Sequence, residues 1–307
     1  MAFSQVTVQV PATTANLGPG FDCLGVALTL QNRFQFTQQA FGASLVEISV
    51  EGEEAASVTT NTDNLIYRTF RQFYEDFGQN PPPVKIDIEL GVPLSRGLGS
   101  SATAIVGGLV AANALAGSPL DNHDLLQRAI ALEGHPDNVV PAFLGGCRLA
   151  VPTSRDWEIA EIPWSQQLVP VVAIPNFELS TEQARSVLPS QFSRDIAIFN
   201  SAHLGLLIRA LETGRGDWLR VGMQDQLHQP YRQKLIASYS KVEAAALSAG
   251  AYGVAISGAG PTLLAITSIG DADTVAQEMQ RAWDKEGINA TVKVLQVNAT
   301  GATFQLR

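Results

Sequence analysis

Short apolar runs alternate along the chain with longer amphipathic stretches, and that alternation predicts an α+β protein. Strand-like runs occupy residues 6–10, 26–36 and 45–50. A helix is predicted from Asp63 and Asn64 to residue 77, with Asp63 as its cap, and three consecutive prolines at 81–83 break the pattern. Residues 84–90 alternate apolar and polar, as in a strand with one buried face. Helices follow at about 100–116, 121–133 and 136–144, then a strand at 145–152. Residues 153–167 read as a hinge between two halves. The second half contains a strand at 169–174, helices at 194–212, 217–226 and 233–248, and strands at 253–256 and 263–267. A helix at 271–286 spaces Val275, Met279 and Trp283 four apart, and a strand at 291–297 is the last predicted element. The expected division is into two domains, residues 1–155 and 156–307.

Composition narrows the function. At 46% hydrophobic and 16% charged, the 307 residues can bury a sizeable core. The 29 acidic against 20 basic side chains give a net charge of −9, which argues against a nucleic-acid or anionic-membrane binder. Residues 97–120 and 244–270 carry no Asp, Glu, Lys or Arg, yet both are too rich in small residues and glycine for a membrane span. The two cysteines, Cys23 and Cys147, make no disulfide framework and no C-x-x-C zinc pattern. With no leader-like start, a reduced, cytoplasmic setting is expected.

The most informative stretch is Pro93-Leu-Ser-Arg-Gly-Leu-Gly-Ser-Ser-Ala-Thr-Ala, between a predicted strand and a predicted helix. A helix N-terminus leaves backbone amides without partners and carries about half a positive charge. Gly97 and Gly99 let such a backbone approach a bulky anion, and Ser100 and Ser101 add hydroxyls, so phosphate is the natural occupant. Arg96 is the one basic residue here, and no lysine follows Gly99, which excludes a Walker A loop. Gly107, Gly108 and many alanines weaken the following helix intrinsically, so close packing against a neighbour is the better reason for them.

Two further segments join this one. Pro11-Ala-Thr-Thr-Ala-Asn-Leu-Gly-Pro-Gly-Phe-Asp-Cys-Leu-Gly sets Asn16 and Asp22 among apolar anchors, the pattern of a buried loop presenting a few oriented polar groups. Residues 253–266 read as strand, glycine turn, strand. Together, in this order and spacing, the three segments resemble the signature of the GHMP kinases, a family named for galactokinase, homoserine kinase, mevalonate kinase and phosphomevalonate kinase. The stretches at 11–22, Glu133-Gly-His-Pro-Asp-Asn-Val-Val-Pro-Ala, Ile174-Pro-Asn, Thr181-Glu-Gln-Ala-Arg and Tyr231-Arg232 are similar to the homoserine-phosphorylating branch.

The resemblance implies two α+β domains, the first with a left-handed βαβ crossover and the second ferredoxin-like. It implies ATP and Mg²⁺ as cofactors, L-homoserine as the substrate and a homodimer. The alternatives are a mevalonate- or sugar-type kinase of the same family, or a non-catalytic nucleotide-binding regulator. By resemblance the phosphates of ATP are cradled by Pro93, Leu94, Ser95, Arg96, Gly97, Leu98, Gly99, Ser100, Ser101, Ala102 and Thr103, with Asn64 at the adenine. Ser101 (or Ser100) and Glu133 would hold Mg²⁺, a cation that favours oxygen ligands. Arg185 and Arg232 would take the substrate carboxylate, and Asp22 with Asn16 its ammonium. His135 and Asn138 would line the pocket near the hydroxyl, with Thr181 and Gly258 close by. Ser101, Glu133 and Asn138 are the residues expected to carry catalysis. No side chain is assigned as a base; direct attack of the hydroxyl on the γ-phosphoryl is expected, with Asp137→Asn as its test. His123, His203 and His228 receive no function.

Overall fold

The apolar run at 26–36 forms the middle of one long strand, and the structure grows outward from it. The computed structural model describes residues 4–40, 42 and 44–307. The first half contains β1 (Gln5–Asn16), β2 (Gly20–Gln38), β3 (Val46–Glu51), α1 (Leu65–Asp76), β4 (Val84–Glu89), α2 (Ser100–Leu115), α3 (Asn122–Glu133), α4 (Pro136–Leu144), β5 (Cys147–Pro152) and β6 (Trp157–Ile162). The second contains β7 (Leu168–Pro175), α5 (Thr181–Ser186), α6 (Arg194–Thr213), α7 (Gly216–Gly222), α8 (Gln229–Arg232), α9 (Tyr239–Ser248), β8 (Gly253–Ile256), β9 (Leu263–Ser268), α10 (Ala272–Asp284), β10 (Ala290–Val294) and β11 (Thr303–Leu306).

The first sheet runs β11-β1-β2-β4-β3, with β5 pairing onto the start of β2 and β6 onto β5. β3 and β4 are parallel, joined by the crossover through α1; the other pairs are antiparallel. Val6, Val8, Phe34, Phe36, Val84 and Ile86 face α1 and α2 in the first core. The second sheet has the order β10-β7-β9-β8, all antiparallel. With α10 crossing between β9 and β10, this is the ferredoxin-like arrangement. α9 and α10 cover one face of it through Val242, Val275, Met279 and Trp283. A third apolar cluster, including Leu17, Leu24, Cys147, Val172, Leu207 and Leu264, joins the base of the β1–β2 hairpin to the second sheet.

The small residues of α2 have a packing reason, as expected. A Cβ on Gly107 would run into the ring of Phe34, and one on Gly108 would meet the backbone carbonyl of Ile66 at 2.7 Å. The helix is thus pressed on both sides, against β2 and α1.

Four sequence expectations are corrected. Residues 153–167 are no hinge, because Trp157–Ile162 pairs with β5 along its whole length. The C-terminal segment does not stop at 297: Thr303–Leu306 returns to β1, and Leu28 bridges Val297. Both strands extend the first sheet, so its residues lie on either side of the division at 155. The segment at 11–25 is not a loop but a bulged hairpin, with register shifts at Pro11/Thr13 and Ala15/Asn16. The helices expected at 217–226 and 233–248 are shorter; α7 ends at Gly222 and α9 begins at Tyr239.

Candidate active site

The three glycine-bearing segments touch one another. The turn between β8 and β9 donates the Gly258 amide to the Ala15 carbonyl, and Ser257 Oγ donates to the Gly97 carbonyl at 2.6 Å. Asn16 Nδ2 donates back to the Gly258 carbonyl at 2.9 Å. The second domain therefore pins both the hairpin and the Gly-rich loop of the first. A cleft of about 540 Å³ opens beside this junction, lined from Asn64 and Ser101 at one end to Asp22, Arg185 and Arg232 at the other.

At one end lies the N-terminus of α2. The backbone amides of residues 95 to 102 find no hydrogen-bond partner among the described residues. Such a run, ending in the positive pole of a sixteen-residue helix, suits a polyanion. The loop turns through left-handed backbone at Ser95, Gly97 and Gly99, with φ of 52°, 76° and 69°. The glycines serve the loop's own packing as much as any ligand: a Cβ on Gly97 would crowd the carbonyls of Ser257 and Gly260, and one on Gly99 would strike Thr13 Oγ1. Asn32, a polar residue inside an apolar strand, fastens the entry. Its Oδ1 accepts the amides of Gly91 and Val92, and its Nδ2 donates to Thr103 Oγ1.

Ser101 and Glu133 meet at the cleft wall, where Ser101 Oγ donates to Glu133 Oε1 at 2.7 Å. Burial raises the Glu133 carboxyl above its usual range, and the serine hydrogen bond opposes this. A desolvated carboxylate beside a hydroxyl is a hard-oxygen donor set of the kind that would suit Mg²⁺. Among the described residues no group of three His, Cys, Asp or Glu could hold a metal by itself, so phosphate and water would complete the shell.

At the other end, Arg185 grips Asp22 with both terminal nitrogens, at 2.7 and 3.0 Å. Arg232 is buried, and burial together with Arg185 brings its guanidinium down to about 10, so it stays charged at neutral pH. Both guanidinium groups lie over the ring of Phe21, at 5.7 and 5.0 Å from its centroid. Between the two ends stand His135, Asp137 and Asn138, around the first turn of α4. Asn138 Oδ1 accepts from Thr13 Oγ1 at 2.8 Å. His135 Nδ1 is buried with no hydrogen-bond partner among the described residues, Asp137 Oδ1 lying 4.0 Å away, and burial lowers the pKa of the ring. Burial, helped by Asp22 and Glu133, pushes the Asp137 carboxyl up to about 7.

The structure gathers most of the expected site residues into this cleft and reassigns several. Ser95, Gly97, Gly99, Ser100, Ser101, Thr103, Glu133, His135, Asn138, Thr181, Arg185, Arg232 and Gly258 all line it. Pro93, Leu98 and Ala102 do not; Leu98 and Ala102 are fully buried and support the loop from behind. Leu94 lines the cleft, but its amide donates to Glu54. Arg96 is a brace rather than a phosphate ligand: its guanidinium donates to the carbonyls of Leu94, Pro175 and Asn176 and faces Glu54 and Glu178. Asn64, and not Asp63, caps α1, accepting the Ile66 amide and donating to the Thr59 carbonyl, which leaves its side chain committed away from a base. Asn16 is likewise used up, accepting the Asp22 amide while donating to Gly258, so the acid left for an ammonium at this end is Asp22, paired here with Arg185. Sequence reasoning passed over Asn32 and Thr13, and took Phe21 only as an apolar anchor of its segment. Asn32 carried a signal, a lone amide in an apolar strand; Thr13 and Phe21 carried none apart from lying in the hairpin.

The N-terminal domain model of the GHMP kinases matches residues 64–146, and their C-terminal model matches residues 207–285. The chain belongs to the GHMP kinases. A homoserine kinase of Microchaete diplosiphon is 59% identical over 300 residues, covering 98% of this chain and 97% of that one. A homoserine kinase of Nostoc punctiforme is also 59% identical, with 97% and 98% covered. In three dimensions the chain superposes on a homoserine kinase of Cytophaga hutchinsonii with a TM-score of 0.88 at 29% identity, covering 98% of both. A mevalonate kinase of L. major shares the fold, with a TM-score of 0.71 at 14% identity and 95% of both chains covered. Both matched regions contain cleft residues or their supports: the first spans the Gly-rich loop and Glu133, the second Arg232 and Gly258.

Proposed function

We propose that this GHMP kinase transfers the γ-phosphoryl group of ATP to the hydroxyl of L-homoserine, giving O-phospho-L-homoserine and ADP. The observation that carries the reading is the pairing, within one cleft, of a run of free amides with an acid and two arginines. Amides without side-chain charge suit a triphosphate. An acid and two guanidinium groups suit the ammonium and carboxylate of an amino acid. Near-full-length identity to homoserine kinases supports the same substrate. Mevalonate would leave Asp22 without a cationic partner once Arg185 had turned to its carboxylate, and a neutral sugar offers a charge to neither side chain.

The chain's residues act by position. The amides of residues 95–102 hold the triphosphate, and Ser101 with Glu133 would hold Mg²⁺, which when bound neutralises charge on the phosphate oxygens. Arg232 and Arg185 fix the substrate carboxylate and Asp22 its ammonium, which aims the side-chain hydroxyl toward Asn138 and the phosphate end. Alignment and charge neutralisation supply most of the acceleration in phosphoryl transfer. The hydroxyl proton leaves with the transferred phosphate or to water. One observation favours a second reading: a carboxyl held up to about 7, as at Asp137, is suited to accept that proton near neutral pH.

The test is ADP release, coupled to a reporter, measured on homoserine, mevalonate and galactose with Mg²⁺ varied. Turnover confined to homoserine supports the proposal, and turnover of another alcohol in its place overturns it. No helix among the described residues is long and apolar enough to cross a membrane. Both cysteines are free thiols, which fits the proposed reducing, cytoplasmic setting.

A further inference from the structure

His228, just before the four-residue helix α8, does not line the cleft, yet it is fully buried against Arg232, which does. Its Nε2 lies 2.9 Å from the Gly18 carbonyl, an oxygen that can only accept, so Nε2 carries the proton. Nδ1 is then a bare acceptor, 3.4 Å from Arg232 Nη1. Two of the guanidinium nitrogens are tied elsewhere too: Nε donates to the Ala184 carbonyl and Nη1 to the Gly258 carbonyl. Nη2 has no hydrogen-bond partner among the described residues.

We propose that His228 is a positioning residue that sets Arg232 so that Nη2 is presented to the substrate carboxylate. The role rests on the reading of Arg232 given above. Three hydrogen bonds from two nitrogens of a planar group leave one orientation for the third nitrogen, Nη2. The backbone that carries the ring is fixed as well. Asp225 accepts the amides of His228 and Gln229 at 2.9 and 2.7 Å through Oδ2, and the Leu227 amide and Asn200 Nδ2 through Oδ1. Phe21 stacks on the imidazole with centroids 5.0 Å apart, and the same phenyl ring lies under Arg232 and Arg185. An alkyl side chain of similar size would fill this space but could not accept from Arg232.

Two amide variants separate the two ring nitrogens. His228→Asn places a side-chain oxygen near the position of Nδ1, keeping an acceptor for Arg232. His228→Gln places its amide near Nε2, keeping the link to Gly18 and losing the acceptor. The measurements are KM and kcat for homoserine, KM for ATP, and competitive binding of 3-aminopropan-1-ol, which has the ammonium and hydroxyl but no carboxylate. His228→Gln is expected to raise KM for homoserine by about tenfold, the range of one lost hydrogen bond to a charged group. It should leave kcat, KM for ATP and binding of the amino alcohol within about twofold, and His228→Asn should recover most of the loss. Equal weakening of homoserine and of the amino alcohol, or equal damage from Asn and Gln, would overturn the role, because either marks general distortion of the site. The wild-type enzyme is assayed alongside: absence of homoserine turnover there would bring down the functional reading and this role together, whereas normal turnover with unselective variants brings down this role alone.

Discussion

Arg185 and Asp22 neutralise each other across the substrate end of the cleft, joined by two hydrogen bonds of 2.7 and 3.0 Å. A zwitterion can part this pair without cost in uncompensated charge, since its carboxylate replaces Asp22 and its ammonium replaces Arg185. A ligand with only one of the two charges strands one partner. The wild-type enzyme is therefore expected to discriminate against 4-hydroxybutanoate by about a hundredfold in kcat/KM. In Asp22→Asn, with no acid left to strand, that ratio should shrink to about tenfold or less. Steady-state kinetics on both substrates check this; an unchanged ratio would show that the pair has no part in selecting the substrate.

The Ser101–Glu133 contact leads to an unequal pair of outcomes. Glu133→Gln removes the charge that would hold Mg²⁺ and is expected to lower kcat by about a hundredfold or more. Ser101→Ala removes one neutral ligand and should chiefly raise KM for magnesium-ATP, by about tenfold. Titrating Mg²⁺ at fixed ATP separates the two, because the half-saturating concentration should move in both variants. A Glu133→Gln enzyme with normal magnesium dependence would remove the carboxylate from the metal.

Gly97 tests the loop's packing rather than its chemistry. Alanine there takes on a left-handed backbone, costing about 1–3 kcal/mol, and its methyl meets the carbonyls of Ser257 and Gly260. Gly97→Ala is expected to melt several degrees lower and to bind ATP weakly, since the loop must draw away from the β8–β9 turn. Differential scanning fluorimetry with and without nucleotide measures both effects.

Asn64 was expected at the adenine and is found capping α1. Asn64→Ala should cost about 1 kcal/mol of stability, a fall of about 2 °C in a protein of this size. Asn64→Ser, which keeps a capping oxygen, should restore it. If the side chain does no more than cap, KM for ATP changes little in either variant; a tenfold rise in both would return Asn64 to the nucleotide.

Asp137 carries the question of the proton. With direct attack, Asp137→Asn keeps its fold and loses no more than about tenfold in kcat, whereas loss of nearly all kcat would make this carboxylate the base. Stability offers a second reading of the same residue. Its carboxyl titrates near 7 when folded and near 3.9 in an unfolded chain. The folded state thus binds the proton more tightly, and the stabilisation this gives is lost as pH rises through 7. The asparagine variant cannot ionise, so its melting temperature should fall less than that of the wild type between pH 5 and pH 8.

The architecture was readable where periodicity is strong. β4, α2, α4, β8 and α10 lie within about two residues of their predicted bounds: β4 and α10 have a clear period, and each of the five has a glycine or proline at its edge. The gathering of Ser101, Glu133, Asn138, Arg185 and Arg232 into one cleft was legible only through the family resemblance; no local pattern brings residue 101 to residue 232. What stayed hidden is long-range pairing. β6 has a half-exposed alternation that passes for a polar connection, and β11 has only four residues, so each becomes a strand through its partner. The division of labour among polar side chains was hidden too. Whether Arg96 meets a phosphate or three carbonyls depends on where residues 175 and 176 arrive, and they come from the other domain.

The return of β11 to β1 also bears on biosynthesis. While the polypeptide is being made, the outer edge of β1 has no neighbour until residues 303–306 emerge, although the bulk of that sheet was translated long before. Until those residues emerge, the nascent molecule carries an open strand edge of the kind that invites association with other chains. Residues 303–306 close that edge, so a product lacking them would keep every catalytic group and carry an unguarded flank.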